Sequence, residues 1–435
     1  MIWLRRVIAV CLFVYGVFRA STIARRVIYG GPDFTTNLAL LVTAAIFVLA
    51  IGCLFSSAIF VLLWGSSGKR NRIFALALVP TLIFAGCLCW DLFLPLSPPT
   101  PQGTPPADTR YWDLSTGSHI AYWIFDPPPN VPIRPEPVVY LHGGPGLYVT
   151  ATDTRFYSQF AQDGFRVFLF DQAGSGWSAR LPAHKYSLHR AIADLEEIRK
   201  TIGAPRIILI GHSWGSVLAA NYMAAHPGHV AKVVFYAPGP MWNFFYMRPE
   251  YYRTAYHEEN GYRTSRFDSP PREQEAHQLF SVDPRAAERF VTQEELGNWW
   301  ARQRGTSMGI CPFHERTLPS SHERKMENLY VSWAMMRDMQ GINDEPFGRL
   351  RSDTTPAIVL YGECDFVPWS AALDYRTTLK NAQLYYFRGA GHAINYEASH
   401  EMAGVIRDFL LDRRPGLPAY NSEQDPRPPK MSGTY

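Results

Sequence analysis

Residues Ile207–Met223 read "IILIGHSWGSVLAANYM", and this stretch constrains the chain more tightly than any other. An apolar run of strand character ends at Gly211, and a helix-forming run opens just past Ser213. A sharp strand-to-helix turn of the type G-x-S-x-G lifts a serine hydroxyl clear of the backbone, provided the residues two before and two after are small. Gly211 and Gly215 meet that condition. The chain must pass from strand to helix at this point, which demands a sheet with helices packed on it.

The neighbouring segments extend the pattern. "HIAYWIF", "PVVYLHGG", "FRVFLFDQ", "AKVVFYAP", "PAIVLYGE" and "AQLYYFRG" read as strands, with amphipathic helices between them. One of those helices, 188–202, sets Ile192, Leu195 and Ile198 on one face. Nearly continuous apolar strands alternating with helices predict a mostly parallel sheet covered on both faces, an α/β fold. Residues 241–350 break the alternation and are dense in aromatic and charged residues, which predicts a helical lid inserted into a core of 109–240 and 351–414.

Residues 1–94 have another texture. Phe34 to Gly68 and Ile73 to Trp90 carry no charged residue. Each is long enough to cross a hydrocarbon core of about 30 Å, so a membrane region with two to three helices is expected, the third candidate being Val7 to Phe18. If all three cross, the basic loop of Lys69, Arg70 and Arg72 stays cytoplasmic and the rest of the chain lies outside; if the first does not cross, the orientation reverses. The outside orientation is the one expected. A proline-rich linker, 95–108, stands the next domain off the bilayer, and 415–435 is too poor in apolar residues to pack, predicting a disordered tail.

A net charge of +4, from 42 basic and 38 acidic residues without a basic block, excludes nucleic acid as a partner. Four of the six cysteines fall in the apolar segments, leaving Cys311 and Cys364; no disulfide framework is implied, and Cys364 reads as packing. No zinc spacing is present, so no metal is expected.

A serine at such a turn needs a base and an orienting acid, in the order Ser, acid, His for this fold. Of the two histidines after "PAIVLYG", His400 sits in a helical run, whereas His392 lies in the loop "RGAGHAINY" just beyond a strand. His392 is therefore the candidate base. Glu363 and Asp365 both follow the preceding strand; Asp365 has room to reach sideways from the turn opened by Gly362, and Glu363 is the residue expected to cap the strand end or face solvent. For the oxyanion, "LHGGPG" offers the backbone of Gly143 and Gly144, and the N–H of Trp214 directly follows the nucleophile.

Taken in order, "HGGPG", "DQAGSGWS", "GHSWGS", "GECDFVP" and "GAGH" resemble the proline iminopeptidase (prolyl aminopeptidase) branch of the α/β-hydrolase superfamily, over about 109–414. The resemblance implies Ser213, Asp365 and His392 as a triad and the glycine loop with Trp214 as the oxyanion site. It also implies that Glu327, in "MENLYVSW", holds the substrate's free amine. The chain departs from the family pattern at Ala173, His212 and Leu147, and "NWWARQ" lacks the glutamate expected beside a lid tryptophan. The expected activity is release of N-terminal proline or a similar residue from short peptides, without cofactor or metal. The alternatives are an esterase or amidase acting on small acyl compounds, and a catalytically silent membrane-tethered binding module.

Overall fold

The computed structural model describes residues 15, 103–241, 270–304, 310–311, 327–340 and 345–427. Apart from Tyr15, the membrane-span candidates lie outside the described residues, as do all but the end of the linker and the last residues of the tail. None of the described helices is long and apolar enough to cross a membrane.

The chain divides into two units: 1–98 with 268–292, and 99–267 with 293–435. In the first, α4 (Pro271–Val282) and α5 (Pro284–Phe290) form a helical pair. Arg272 donates to the carbonyl of Phe290 at 2.7 Å and lies over its ring. Asp283 caps α5 by accepting from Arg285 N–H.

The second unit is built on one eight-stranded sheet, in the order β1-β2-β4-β3-β5-β6-β7-β8. The strands are β1 (Arg110–Asp113), β2 (His119–Phe125), β3 (Val138–Leu141), β4 (Val167–Phe170), β5 (Ile207–His212), β6 (Val230–Tyr236), β7 (Ala357–Gly362) and β8 (Ala382–Phe387). β1, β2 and β4 pair antiparallel, and every pairing from β4 through β8 is parallel. Burial explains the apolar runs: β3, β4 and β7 are buried at every residue, because helices cover both faces. β1, "RYWD", has no run to betray it; Trp112 alone is buried, and it stacks on Tyr122 of β2.

The helices of this unit are α1 (Ala151–Ser158), α2 (Leu188–Ile202), α3 (Trp214–Ala225), α6 (Gln293–Arg304), α7 (Leu329–Gln340), α8 (Glu345–Leu350), α9 (Trp369–Thr378), α10 (Ile394–Glu397) and α11 (Ser399–Leu410). α3 is buried from Trp214 to Ala224, as a helix apolar on every side must be. The chain runs from β3 sideways to β4 and then jumps across β3 to β5. The loops after β3 and β5 therefore flank the point where the winding reverses, at the carboxyl ends of the strands, where open α/β sheets bind ligands.

Beyond residue 414 the outcome differs from the predicted disorder. Residues 415–427 hold defined contacts: Tyr420 N–H donates to Leu384 O of β8, Arg376 of α9 donates to the carbonyls of Tyr420 and Ser422, and Trp369 Nε1–H donates to Glu423 O. Leu417 and Ala419 also pack against the core and Tyr420 sets its ring edge-on to Trp369, so a few scattered contacts hold a segment whose overall composition is poor in apolar residues.

Candidate active site

The elbow forms because three backbone segments approach too closely for any side chain. A Cβ placed on Gly215 would sit 2.0 Å from Leu141 O, and one on Gly211 would sit 2.5 Å from Gly215 C and O. Helix α3 can leave β5 at this angle only with glycine at both positions. The turn then forces Ser213 to φ 53° and ψ −115°, a region that non-glycine residues adopt at a cost of about 1–3 kcal/mol. Long-range bonds hold it there: Ser213 N–H donates to Tyr236 O at 2.9 Å, and Ser213 O accepts from Gly239 N–H at 3.1 Å.

The glycine loop after β3 lies against this elbow. A Cβ on Gly143 would be 3.1 Å from Ser213 Cβ and 3.3 Å from His212 O. His142 sets the direction of the loop. Its Nε2 accepts from Gln172 N–H at 2.9 Å, so Nδ1 carries the proton and donates to Gly143 O at 2.9 Å. Fixing that carbonyl also fixes the N–H of Gly144 in the same peptide plane, on the opposite side. Burial lowers the His142 pKa to about 4, which keeps the ring neutral. Gln172 completes the brace, donating to His142 O and accepting from the Trp214 indole at 3.2 Å. The N–H of Trp214 is the first of α3, and N–H groups of a first helical turn have no partner within the helix.

Asp365 and His392, 27 residues apart, come together with Nδ1 of the imidazole donating to Oδ1 at 2.8 Å. Asp365 is fully buried and His392 is 8% exposed. With the proton on Nδ1, Nε2 is left as an acceptor. The Asp365 carboxylate also takes Val367 N–H at 2.8 Å. Glu363, the rival acid, spends its carboxylate on Gly389 N–H at 2.7 Å and braces the histidine loop.

The backbone of His392 is held from the sheet side. Its carbonyl lies 3.0 Å from Tyr236 OH, whose single proton is shared between that carbonyl and Asn395 Oδ1 at 2.9 Å. Asn395 in turn donates to buried Asp153, which also takes Tyr140 OH, both at 3.1 Å. The Asp153 pKa is raised by burial. His212 lies 4.9 Å from the His392 ring and donates from Nε2 to its carbonyl at 3.2 Å. Burial, then the neighbouring His392 charge, lowers the His212 pKa, so the pair of imidazoles does not carry two positive charges.

Glu327 is 2% exposed at the start of the segment leading into α7. Asn328 seats it: Asn328 N–H donates to Gly146 O of the glycine loop at 2.9 Å, and its amide donates to Gly174 O at 2.8 Å and to Gln293 at 2.7 Å. The contact is close enough that a Cβ on Gly146 would lie 2.1 Å from Asn328 O.

Cys311 and Cys364 form a disulfide across 53 residues. This corrects the expectation of no disulfide and of Cys364 as mere packing; the pairing becomes visible only when the loop after β7 meets the insertion. Sequence reasoning also passed over Tyr236, Asn395, Asp153 and Glu397, which carry no motif of their own. Among the described residues, Glu196, His226 and His229 bring metal-ligand atoms within 4.8 Å of one another. Arg199 already grips that carboxylate with bonds of 2.7 and 3.0 Å, and Tyr222 adds one at 2.8 Å. Burial would raise the Glu196 pKa, but these bonds bring it down to about 2, the mark of a salt-bridge node.

Residues 136–399 match the family model described as alpha/beta hydrolase fold, and the chain belongs to that family. It is 27% identical over 282 residues to a protein named proline iminopeptidase from Xylella fastidiosa (strain 9a5c), covering 59% of this chain and 83% of that one. A proline iminopeptidase from Heyndrickxia coagulans is 25% identical over 306 residues, with 68% and 96% covered. Among solved structures, a proline iminopeptidase from Mycobacterium smegmatis aligns over 70% of this chain and 98% of its own, at 18% identity and a TM-score of 0.46. The chain is thus a prolyl aminopeptidase-like α/β-hydrolase, and an enzyme of the hydrolase class.

Proposed function

We propose that this hydrolase is a membrane-anchored serine aminopeptidase releasing N-terminal proline or a similar residue from short peptides. Ser213 attacks the carbonyl of the first residue while His392 Nε2 takes its proton, and Asp365 stabilises the imidazolium. The N–H groups of Trp214 and of Gly143 and Gly144 receive the oxyanion, and donors of this kind are worth about 3–4 kcal/mol each. His392 then protonates the leaving amine, and water, activated by the same base, frees the acyl-enzyme.

The observation that carries the aminopeptidase reading is the seat of Glu327. A buried carboxylate anchored by Asn328 against Gly146 suits a substrate ammonium held next to the glycine loop. The membrane assignment rests on the uncharged runs 34–68 and 73–90. The extracytoplasmic side is favoured by the Cys311–Cys364 disulfide, since such bonds persist mainly in oxidising compartments.

Amide reporters of proline, alanine and leucine, with a short-chain ester, test the reading on the full chain. The expected result is turnover of the proline amide, abolished by Ser213→Ala and reduced about a hundredfold in kcat/KM by Glu327→Gln, the cost of an unpaired ammonium. The missing glutamate in "NWWARQ" favours a second reading, an esterase. Ester turnover insensitive to Glu327→Gln, without proline amide turnover, would replace the first reading by that one.

A further inference from the structure

Cys311, buried at 1% exposure, is linked to both loops that carry Asp365 and His392. On one side Cys311 is joined covalently to Cys364, the residue directly before Asp365. On the other its N–H donates to Glu397 Oε1 at 2.8 Å, and Glu397 Oε2 accepts from Gly391 N–H, directly before His392, at 2.6 Å. Between the two loops, Cys364 N–H donates to Ala390 O and Glu363 N–H to Phe387 O, each at 2.9 Å. These links close a circuit: Cys311, the disulfide, Cys364, Ala390, Gly391, Glu397 and back to Cys311. Only one link in it is covalent and redox-active.

We propose that the Cys311–Cys364 disulfide and Glu397 act as one clamp that positions Asp365 against His392, so that full activity requires the oxidised bond. The proposal rests on the reading of these two residues as the acid and base of the enzyme. The Asp365–His392 bond is directional, and its two partners come from loops after different strands, β7 and β8. A small relative slide of those loops lengthens that bond without disturbing Ser213, whose conformation is held by β5, α3 and Tyr236. Cutting the disulfide removes the covalent tether between Cys311 and the acid loop, while the bond from Cys311 N–H to Glu397 still joins it to the histidine loop.

A dithiol reductant opens the bond in balanced steps. One reductant thiolate attacks a disulfide sulfur, forming a mixed disulfide and expelling the other cysteine as a thiolate, which takes up a proton. The second reductant thiol resolves the mixed disulfide, leaving two protein thiols and an oxidised cyclic disulfide.

The test uses the full chain, oxidised and after dithiothreitol with thiols counted, beside Cys311→Ser/Cys364→Ser and Glu397→Gln. The expected result is a fall in kcat of about tenfold or more on reduction, with KM changed less, since small misplacements of reacting groups cost up to about a hundredfold. The apparent pKa of the base in the pH profile of kcat/KM should also fall, because a displaced Asp365 stabilises the imidazolium less. The double serine variant should match the reduced enzyme and ignore dithiothreitol, and reoxidation should restore the wild type. Glu397→Gln should lie between the two states. A double variant with unchanged kcat and pH profile would overturn the clamp. If that variant does not fold, reversible reduction of the folded wild type decides the matter, and two freed thiols with unaltered kcat overturn the clamp as well. Fluorophosphonate labelling separates the two readings: labelling that survives Ser213→Ala or His392→Ala removes the triad itself, whereas labelling lost there but proceeding at the wild-type rate in the cysteine variants, with unaltered kcat, removes only the clamp.

Discussion

The two halves of the candidate site are held in opposite ways. The nucleophile half is compact in sequence: Gly211, Ser213 and Gly215 are separated by single residues, and close backbone contact, with one another and with Leu141 of the neighbouring strand, sets the turn. The acid–base half is assembled from afar, with Cys364, the residue before Asp365, bonded to Cys311 53 residues away and the His392 carbonyl held by Tyr236, 156 residues away. A turn made by steric exclusion tolerates no added atom at its contacts, even with the Tyr236 and Gly239 bonds to Ser213 in place. A geometry made by distant bonds survives the loss of any one, at a graded cost.

The largest expected effect follows from the first half. Gly215→Ala puts a methyl group 2.0 Å from Leu141 O, a backbone atom that cannot swing aside. Stability should fall by about 3 kcal/mol or more, the upper range for overpacking, and labelling of Ser213 should be lost. Denaturant melts and fluorophosphonate labelling check this; a variant of wild-type stability would break the claim that close backbone contact sets the elbow.

Next in size is the pH response of the glycine loop. His142 titrates near 4 in the fold and near 6.5 when unfolded, so between those values the unfolded chain binds the extra proton. Its contribution is complete above about pH 6.5 and is lost as pH falls toward 4, about 3 kcal/mol in all. Unfolding free energies measured across that window should show the slope in the wild type and a reduced slope in His142→Asn. Equal slopes would remove His142 from the brace.

The smallest effect tests the distributed half. Tyr236→Phe removes a hydroxyl that serves both His392 O and Asn395. A loss of about 1–2 kcal/mol in stability is expected, with kcat reduced several-fold and labelling retained. Complete loss of activity would show that this half, too, depends on a single contact.

Legibility in the sequence followed the same division. The elbow, the glycine loop and seven of the eight strands could be read because each depends on neighbours within a few residues: apolar runs, glycines at fixed offsets, and turns. Asp365 and His392 could be placed because each follows directly on a strand end. β1 escaped because four residues with one buried tryptophan make no pattern. The strap at 415–427 escaped because scattered contacts hold it, three of its backbone carbonyls and the side chains of Leu417, Ala419 and Tyr420, which make no pattern along the chain.

By itself, then, the sequence determined the alternation of strand and helix, the sharp serine turn and the uncharged segments ahead of the hydrolase domain, since these are consequences of periodicity and of steric rules acting along the chain. The tertiary structure alone decided that Cys311 meets Cys364, that Glu397 joins two loops, that Tyr236 reaches the carbonyl of His392 and that Asn328 seats Glu327 on the glycine loop. The physical reason is range: such contacts depend on where the sheet brings distant residues, and no local interaction encodes a partner many tens of residues away.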